Sequence, residues 1–342
     1  MKNMQKLSLA FLILFTVGLQ AKAQDAISDL LKGSQEDAQY LAEGYVDSFL
    51  KATGSGINQG WYNTAKNHKF PGFDFTFSVA LIAIPDDEKF YTVENSKMND
   101  LELYQLADGT TVTGGSGKVP SLVGPDASPV YRYKAGHPLA GQTFEGPKGL
   151  DINVLNRSAA LPVYNLGIGL PKGIDLKIRW SPTLDLGSLG VGIEGEAKIF
   201  GIGVMHDIKQ YIPGIKMLPF DLAAMIAFSK MEISTELDNP DQRAEFNIQG
   251  TTFQAIISKK ISVITPYAAL GFSTSKASAK ALGEYDFGGA TTIKDPINVE
   301  SKLSGARLTA GLRLQLLVLS FHCDYTLQKY DTVTAGIGLT VR

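Results

Sequence analysis

The chemistry open to this chain of 342 residues has to come from a small set of side chains. There are four histidines, His68, His137, His206 and His322, and one cysteine, Cys323. Zinc sites take such residues at short, repeated spacings. No His-x-x-x-His or Cys-x-x-Cys pair occurs, so no metal is expected. His206 and Asp207 are adjacent where a long segment meets a turn. A catalytic pair or a calcium contact is one reading, and a turn or helix-start bond by Asp207 is the commoner one. Ser320, His322 and Asp324 alternate along one segment and supply the residue types of a Ser-His-acid hydrolase. Gly114-Gly115-Ser116-Gly117 lacks the Gly-Lys-Ser/Thr ending and the following helix of a phosphate loop, and reads as loop flexibility. The remaining candidates are rows of charge: Asp175, Lys177 and Arg179; Glu194, Glu196 and Lys198; Arg307 and Arg313; His322 and Asp324. No pattern calls for a cofactor.

The elements that carry these rows share one feature. In the last of them, Leu308, Ala310, Leu312, Leu314 and Leu316 alternate with Arg307, Thr309, Gly311, Arg313 and Gln315. Successive side chains of a strand point to opposite faces, so this is a strand with one apolar and one polar side. Ten such segments are expected, near 73–81, 161–170, 174–181, 190–206, 217–232, 245–258, 262–279, 301–315, 317–328 and 332–342. Two break the pattern. Glu194, Glu196 and Lys198 share a face with Phe200, Ile202 and Val204, which calls for a bulge near Gly201 or an apolar stretch of interior. Asn247, Gln249 and Thr251 share a face with Phe253, Ala255 and Ile257, which fits a strand whose 245–250 end projects into water.

The start of the chain narrows what covers the apolar faces. Lys2 and Lys6 precede an apolar run from Leu7 to Leu19, followed by Ala21-Lys22-Ala23, the pattern of a secretory signal cleaved near Ala23. No cysteine follows it at the expected mature start, so no lipid anchor is expected there. Beyond the signal no run of 18 apolar residues exists, so no spanning helix is expected. The formal charge of −2 turns more negative once Lys2, Lys6 and Lys22 are removed, which argues against nucleic acid as a partner. A single cysteine cannot form an internal disulfide, so a large exported chain needs a large core or a closed barrel. Only helices and closed barrels pair every backbone group within lipid.

The links between strands alternate roughly short and long, as in outer-membrane barrels with short periplasmic turns and longer outside loops. Several strands also exceed the usual 5–6 residues of soluble sheets. Tyr164, Trp180, Tyr211, Tyr267, Tyr325 and Tyr330 are candidates for aromatic girdles at the membrane interfaces. The expected fold is therefore all-β, an up-and-down antiparallel transmembrane β-barrel of ten to fourteen strands with a short N-terminal helical segment as plug or lid. Residues 24–69 supply that segment. Ser34-Gln-Glu-Asp37 resembles a capping box opening a helix to Ala52, with Leu41, Tyr45 and Phe49 on one face and Thr53-Gly54-Ser55-Gly56 as its stop. Residues 70–342 supply the barrel. Its long Gly/Pro-rich insert at 85–160 holds short β-like pieces and is expected to pass over a rim or into the lumen.

Three stretches carry a resemblance: "LPVYNLGIGLPKGIDLKIRWSP" (161–182), "GIGVMHDIKQYIPGIKMLPFDLAAMIAFSK" (201–230) and the closing "TAGIGLTVR". With the helical start and Gly60-Trp61, they resemble a domain-of-unknown-function family of exported barrel proteins of Gram-negative bacteria. The resemblance implies an outer-membrane barrel and supplies no catalytic residues. More distantly, a helical segment before a barrel is similar to outer-membrane transporters of long-chain fatty acids and aromatic hydrocarbons, as architecture alone.

The ten charged candidates then face inward, where mixed charges pair and close a narrow lumen or line water in a wide one. The expected function is a non-enzymatic outer-membrane barrel that passes or binds small, including hydrophobic, molecules. Outer-membrane lipid is its expected partner, with a small hydrophobic ligand in the lumen. The alternatives are a structural or partner-binding barrel that uses the long insert, a barrel hydrolase, and a soluble exported β-sandwich. The hydrolase trio would lie on the lumen face, the wrong side for lipid. One departure weighs against the barrel: the last strand finishes Leu-Thr-Val-Arg342 rather than on an aromatic residue.

Overall fold

The computed structural model describes residues 29–151, 158–185, 195–215, 217–236, 241–287 and 291–341. The expected signal, Glu194 and Arg342 lie outside the described residues. The helix α1 (Gln35–Gly56) precedes the strands β1 (Phe73–Ala83), β2 (Phe90–Glu94), β3 (Leu101–Gln105), β4 (Ser116–Pro120), β5 (Val130–Tyr133) and β6 (Thr143–Glu145). Then follow β7 (Ser158–Leu170), β8 (Ile174–Trp180), β9 (Leu184–Asp185), β10 (Gly195–Asp207), β11 (Asp221–Glu236), β12 (Arg243–Ser258) and β13 (Ile264–Leu282). The chain ends with β14 (Glu284–Phe287), β15 (Thr291–Lys294), β16 (Ile297–Leu316), β17 (Leu319–Leu327) and β18 (Thr332–Val341).

Ten of these close into one antiparallel barrel in the order β1, β7, β8, β10, β11, β12, β13, β16, β17, β18, with β18 pairing back onto β1. The two-residue β9 extends the β8 position along β10. Each strand pairs with its barrel neighbours in chain order, so the topology is up-and-down. A single closed sheet excludes the two-sheet sandwich.

Burial tells the two faces apart. Leu270 is 64 % exposed while the adjacent Ala269 is 3 %. The same alternation leaves Phe200, Ile202, Phe228, Phe253, Leu308, Leu312, Phe321 and Ile337 on the outside. Leaving a leucine or phenylalanine in water forgoes about 1.5–3 kcal/mol each, so a continuous belt of them is built for an apolar surrounding. Across β1, β7 and β8 the belt holds a stack of Phe75, Phe77, Tyr164 and Trp180, with Phe77 and Tyr164 centroids 5.1 Å apart. Two girdle candidates lie elsewhere: Tyr267 faces inward and Tyr330 is fully buried.

Glu196 and Lys198 correct the expectation that they face inward. The pairing of β10 with β11 runs unbroken from Gly195 to Asp207, so no bulge rotates the strand. Both are exposed on the outer face in line with Phe200, while Ala197, Ile199 and Met205 face in. The strands explain this. β11, β12, β13 and β16 have 16, 16, 19 and 20 residues, against about 9–11 needed to cross a bilayer. They continue beyond the apolar belt, and there the outer face turns polar.

This extended part is at the long-loop end, where the chain leaves β1 after Ala83 and enters β7 at Ser158. The insert is a folded module rather than a loop: β2 pairs with β4, and β3, β5 and β6 form a second small sheet. Val93, Leu101, Leu103, Val119 and Tyr131 form its core and join that of α1. Another expected loop, near 280–300, carries the hairpin β14–β15.

Candidate functional site: the threaded lumen and its cap

An eight-stranded barrel is just wide enough for its own side chains to fill. Ten strands leave room for more, and segment 57–68 takes it. Helix α1 lies at the long-loop end, β1 starts at the short-turn end, and the chain between them runs down the lumen. Ile57, Asn58, Gln59, Trp61, Tyr62, Asn63, Thr64, Ala65 and His68 are all buried.

The wall holds this plug mainly by its backbone. Arg179, fully buried on β8, donates Nη1 to the Ile57 carbonyl at 2.7 Å and Nη2 to the Gln59 carbonyl, while its Nε donates to Asn165 Oδ1 at 2.9 Å. Its guanidinium also lies 3.9 Å from the Trp61 ring centroid. A planar fork with five donors suits this task. Asn165 in turn donates to the Gly60 carbonyl at 3.0 Å, and Ser229 to that of Ile57 at 3.0 Å. Arg307 on β16 donates to the Asn58 carbonyl at 3.0 Å and to the Gln59 side chain. Gly60 makes its turn at φ +69, the left-handed region that favours glycine.

Lower down, Tyr62 OH donates to Gln254 Oε1 at 2.6 Å, and Ser258 Oγ accepts from the Ala65 N–H at 2.9 Å. At the short-turn end His68 is seated on Asp175, which accepts from its N–H and contacts its Nδ1, both at 2.8 Å. Lys177 lies 3.3 Å from Asp74 and 3.8 Å from Asp175, closing a buried charge cluster. Small residues on the wall make the space. A Cβ at Gly169 would lie 2.6 Å from His68, and one at Gly250 would lie 2.8 Å from Asn58.

Seven of the ten charged candidates therefore lie on the buried inner face: Asp175, Lys177, Arg179, Arg307, Arg313, His322 and Asp324. Arg313 donates to Thr340 Oγ1 at 2.9 Å. The hydrolase residues bond to separate partners. Ser320 donates to the Gly338 carbonyl at 3.4 Å, His322 Nε2 lies 3.5 Å from Ser78 Oγ, and Asp324 accepts from Tyr267 at 2.7 Å. His206 contacts Tyr211, and Asp207 accepts from the Lys209 N–H at 3.0 Å, the turn bond expected for it. Among the described residues no cluster of three or more His, Cys, Asp or Glu side chains fits a metal ion. The sequence places a helical plug or lid within residues 24–69; the helix sits over the long-loop end instead, and what enters the lumen is the non-helical segment 57–68. Its available signal was a run of amides and hydroxyls with no periodicity facing glycines on the wall.

Above the plug sits the cap. Ser34 caps α1 by accepting from the Asp37 N–H at 3.2 Å. Asp37 does not reach back to complete a capping box; its carboxylate accepts from Asn99, Asp100 and Leu101 N–H groups at 2.5, 2.9 and 2.9 Å, fixing the insert to the helix. The helix runs on past the expected stop to Gly56, and position 54 takes glycine because a side chain there would strike Ser275 of the wall. Gln39 exchanges two 3.0 Å bonds with the Asn298 backbone, and Ser301 donates to Asp47 at 2.6 Å. Glu88 ties three parts together: it accepts from Ser48 of α1 and Tyr330 at 3.0 Å and pairs with Lys329 at 2.6 Å. Burial pushes the Glu88 carboxyl up, but the bonds from Lys329, Ser48 and Tyr330 together outweigh it and hold the group below the usual carboxylate range. Burial, then the Glu88 charge, raises the Tyr330 hydroxyl.

Comparison with known proteins gives a family. A family model described as "Family of unknown function (DUF6588)" matches residues 1–341. No curated protein matches the chain. Among solved structures, the chain is similar to the outer-membrane protease OmpT of Escherichia coli, with 10% identity, 80% of this chain and 98% of that one covered, and TM-score 0.38. It is also similar to the attachment invasion locus protein Ail of Yersinia pestis, with 11% identity, 49% and 94% covered, and TM-score 0.26. The toluene transporter TbuX of Ralstonia pickettii shows 12% identity, 84% and 93% covered, and TM-score 0.24. All three are outer-membrane-type barrels, and likenesses at this level carry no argument about activity.

Proposed function

The chain belongs to the family of unknown function DUF6588, and we propose that it is a closed outer-membrane barrel presenting the α1–insert cap beyond the membrane as a binding surface. The observation that carries this is the plug. Segment 57–68 fills the lumen at the depth of the apolar belt and is tied to opposite walls by Arg179 and Arg307. A small hydrophobic ligand in the lumen would have to displace Trp61 and Tyr62. The apolar belt supports membrane insertion, and the long-loop end is the outside by the usual turn asymmetry. Binding rather than catalysis fits the separate bonding of Ser320, His322 and Asp324. Two measurements test the reading. Purified protein in planar bilayers is expected to be silent. A cysteine at exposed Asp108 of the insert is expected to react with a membrane-impermeant maleimide on intact cells, in a C323S background. Steady conductance by the wild-type protein would restore the passage reading. Labelling only after cells are broken would reverse the orientation.

A further inference from the structure

The outer face just beyond the apolar belt holds charges of two kinds. On β10, β11 and β12 each cation pairs with a carboxylate two residues away on its own strand: Lys198 with Glu196 at 2.8 Å, Lys230 with Glu232 at 2.5 Å and Arg243 with Glu245 at 2.9 Å. On β13 and β16 the arrangement differs. Lys276 is the direct cross-strand partner of Lys302, both exposed, and neither forms an ion pair among the described residues. Directly opposed side chains on one face are about 4.5–5.5 Å apart at Cβ, and like charges so placed repel. Glu300, two residues from Lys302 on β16 and opposite Ser278, forms no ion pair among the described residues.

We propose that Lys276 and Lys302 together hold the phosphate of a membrane lipid in the leaflet at the long-loop end. The site rests on the reading of the belt as membrane-spanning. Its level fits: one outward position toward the belt stand Thr274 and Ser304, hydroxyls 2.9 Å apart, and the next outward positions are Phe272 and Ala306, then Leu270 and Leu308. That is the height at which acyl chains give way to headgroups. On the other flank Lys276 pairs with Gln249, an amide that can donate. The wall behind is fixed, since the inward neighbours Ser275 and Ser301 both lie against α1. A phosphate between two lysines converts a repulsive pair into a charge-assisted one.

The test is native mass spectrometry of the full-length protein in neutral detergent, titrated with diphosphoryl lipid A. The wild-type protein is expected to hold one lipid, and K276Q/K302Q to weaken it at least tenfold. K198Q, whose lysine already has Glu196, is expected to bind like wild type. Equal affinity of the double variant, in protein that keeps its heat-shifted gel migration, would overturn the site. So would displacement of the lipid by inorganic phosphate at equal concentration, which would mark a free-anion site. Flotation of proteoliposomes reads the underlying premise separately. Protein that floats while K276Q/K302Q binds normally removes the lysine site alone, and protein that fails to float removes the membrane reading as well.

Discussion

Arg179 is a side chain whose loss leaves two groups stranded. Without it the Gln59 carbonyl and the Asn165 amide oxygen lose their buried donor, while the Ile57 carbonyl keeps Ser229. Unpaired buried acceptors cost about 1–3 kcal/mol each, so Arg179→Ala is expected to destabilise the barrel by about 3 kcal/mol in urea unfolding followed by tryptophan fluorescence. Trp61, stacked on the guanidinium, reports the site directly. Arg179→Lys is expected to recover less than half, because an ammonium cannot bridge two carbonyls with a planar fork. Glu88 sets a pH dependence of known sign. Its folded pKa lies below its unfolded value, so its contribution is complete above the unfolded value and is lost as pH falls through the folded one. Protection of the cap against hydrogen exchange, taken relative to the intrinsic rate at each pH, is expected to fall below about pH 4.5, the ordinary glutamate range, and Glu88→Gln to flatten that change.

At the scale of elements, the joint between helix and insert invites a graded test. Ser34→Ala removes one N-cap bond and is expected to cost about 1 kcal/mol, seen as faster exchange in the first turn of α1. Asp37→Ala strips acceptors from three N–H groups of the insert and is expected to loosen residues 99–101 as well, which the Ser34 variant leaves protected. The contrast shows which elements sequence alone could reveal. The ten barrel strands were legible because each has one lipid-type face, and a period of two survives without any knowledge of the partner strand. The faces of β10 were misjudged for the same reason: charge was equated with the inside, whereas Glu196 and Lys198 stand outside on a strand that outruns the belt. The insert shows only short β-like pieces in the sequence, and strands of three to five residues are too short to reveal how they pair into a module. The path of segment 57–68, inside the stretch expected as plug or lid, is hidden for a deeper reason. A non-helical chain enclosed by the barrel wall over 57–65 has no solvent face there, so burial leaves no alternation in its residues.

At the scale of the whole molecule, the chain passes through its own barrel. Residue 35 is at one end and residue 73 at the other, so the barrel closes around a segment that precedes all of its strands. Whether that segment is a fixed filler or a removable stopper depends on a handful of polar bonds, and these can be cut without touching the strand pairing. The double variant R179A/R307A releases the plug backbone from β8 and β16 and is expected to give intermittent conductance where the wild type is silent. Wall damage could produce the same current, so a second change is needed to separate the two. Ala65 and Ser258 are in direct contact, the N–H of one on the hydroxyl of the other at 2.9 Å. In a C323S background, A65C/S258C can be oxidised to bridge plug and wall. If the plug itself moves, the oxidised bridge is expected to silence R179A/R307A and reductant to restore its current. A current that ignores the bridge would place the leak in the wall and leave the plug a fixed part of the core.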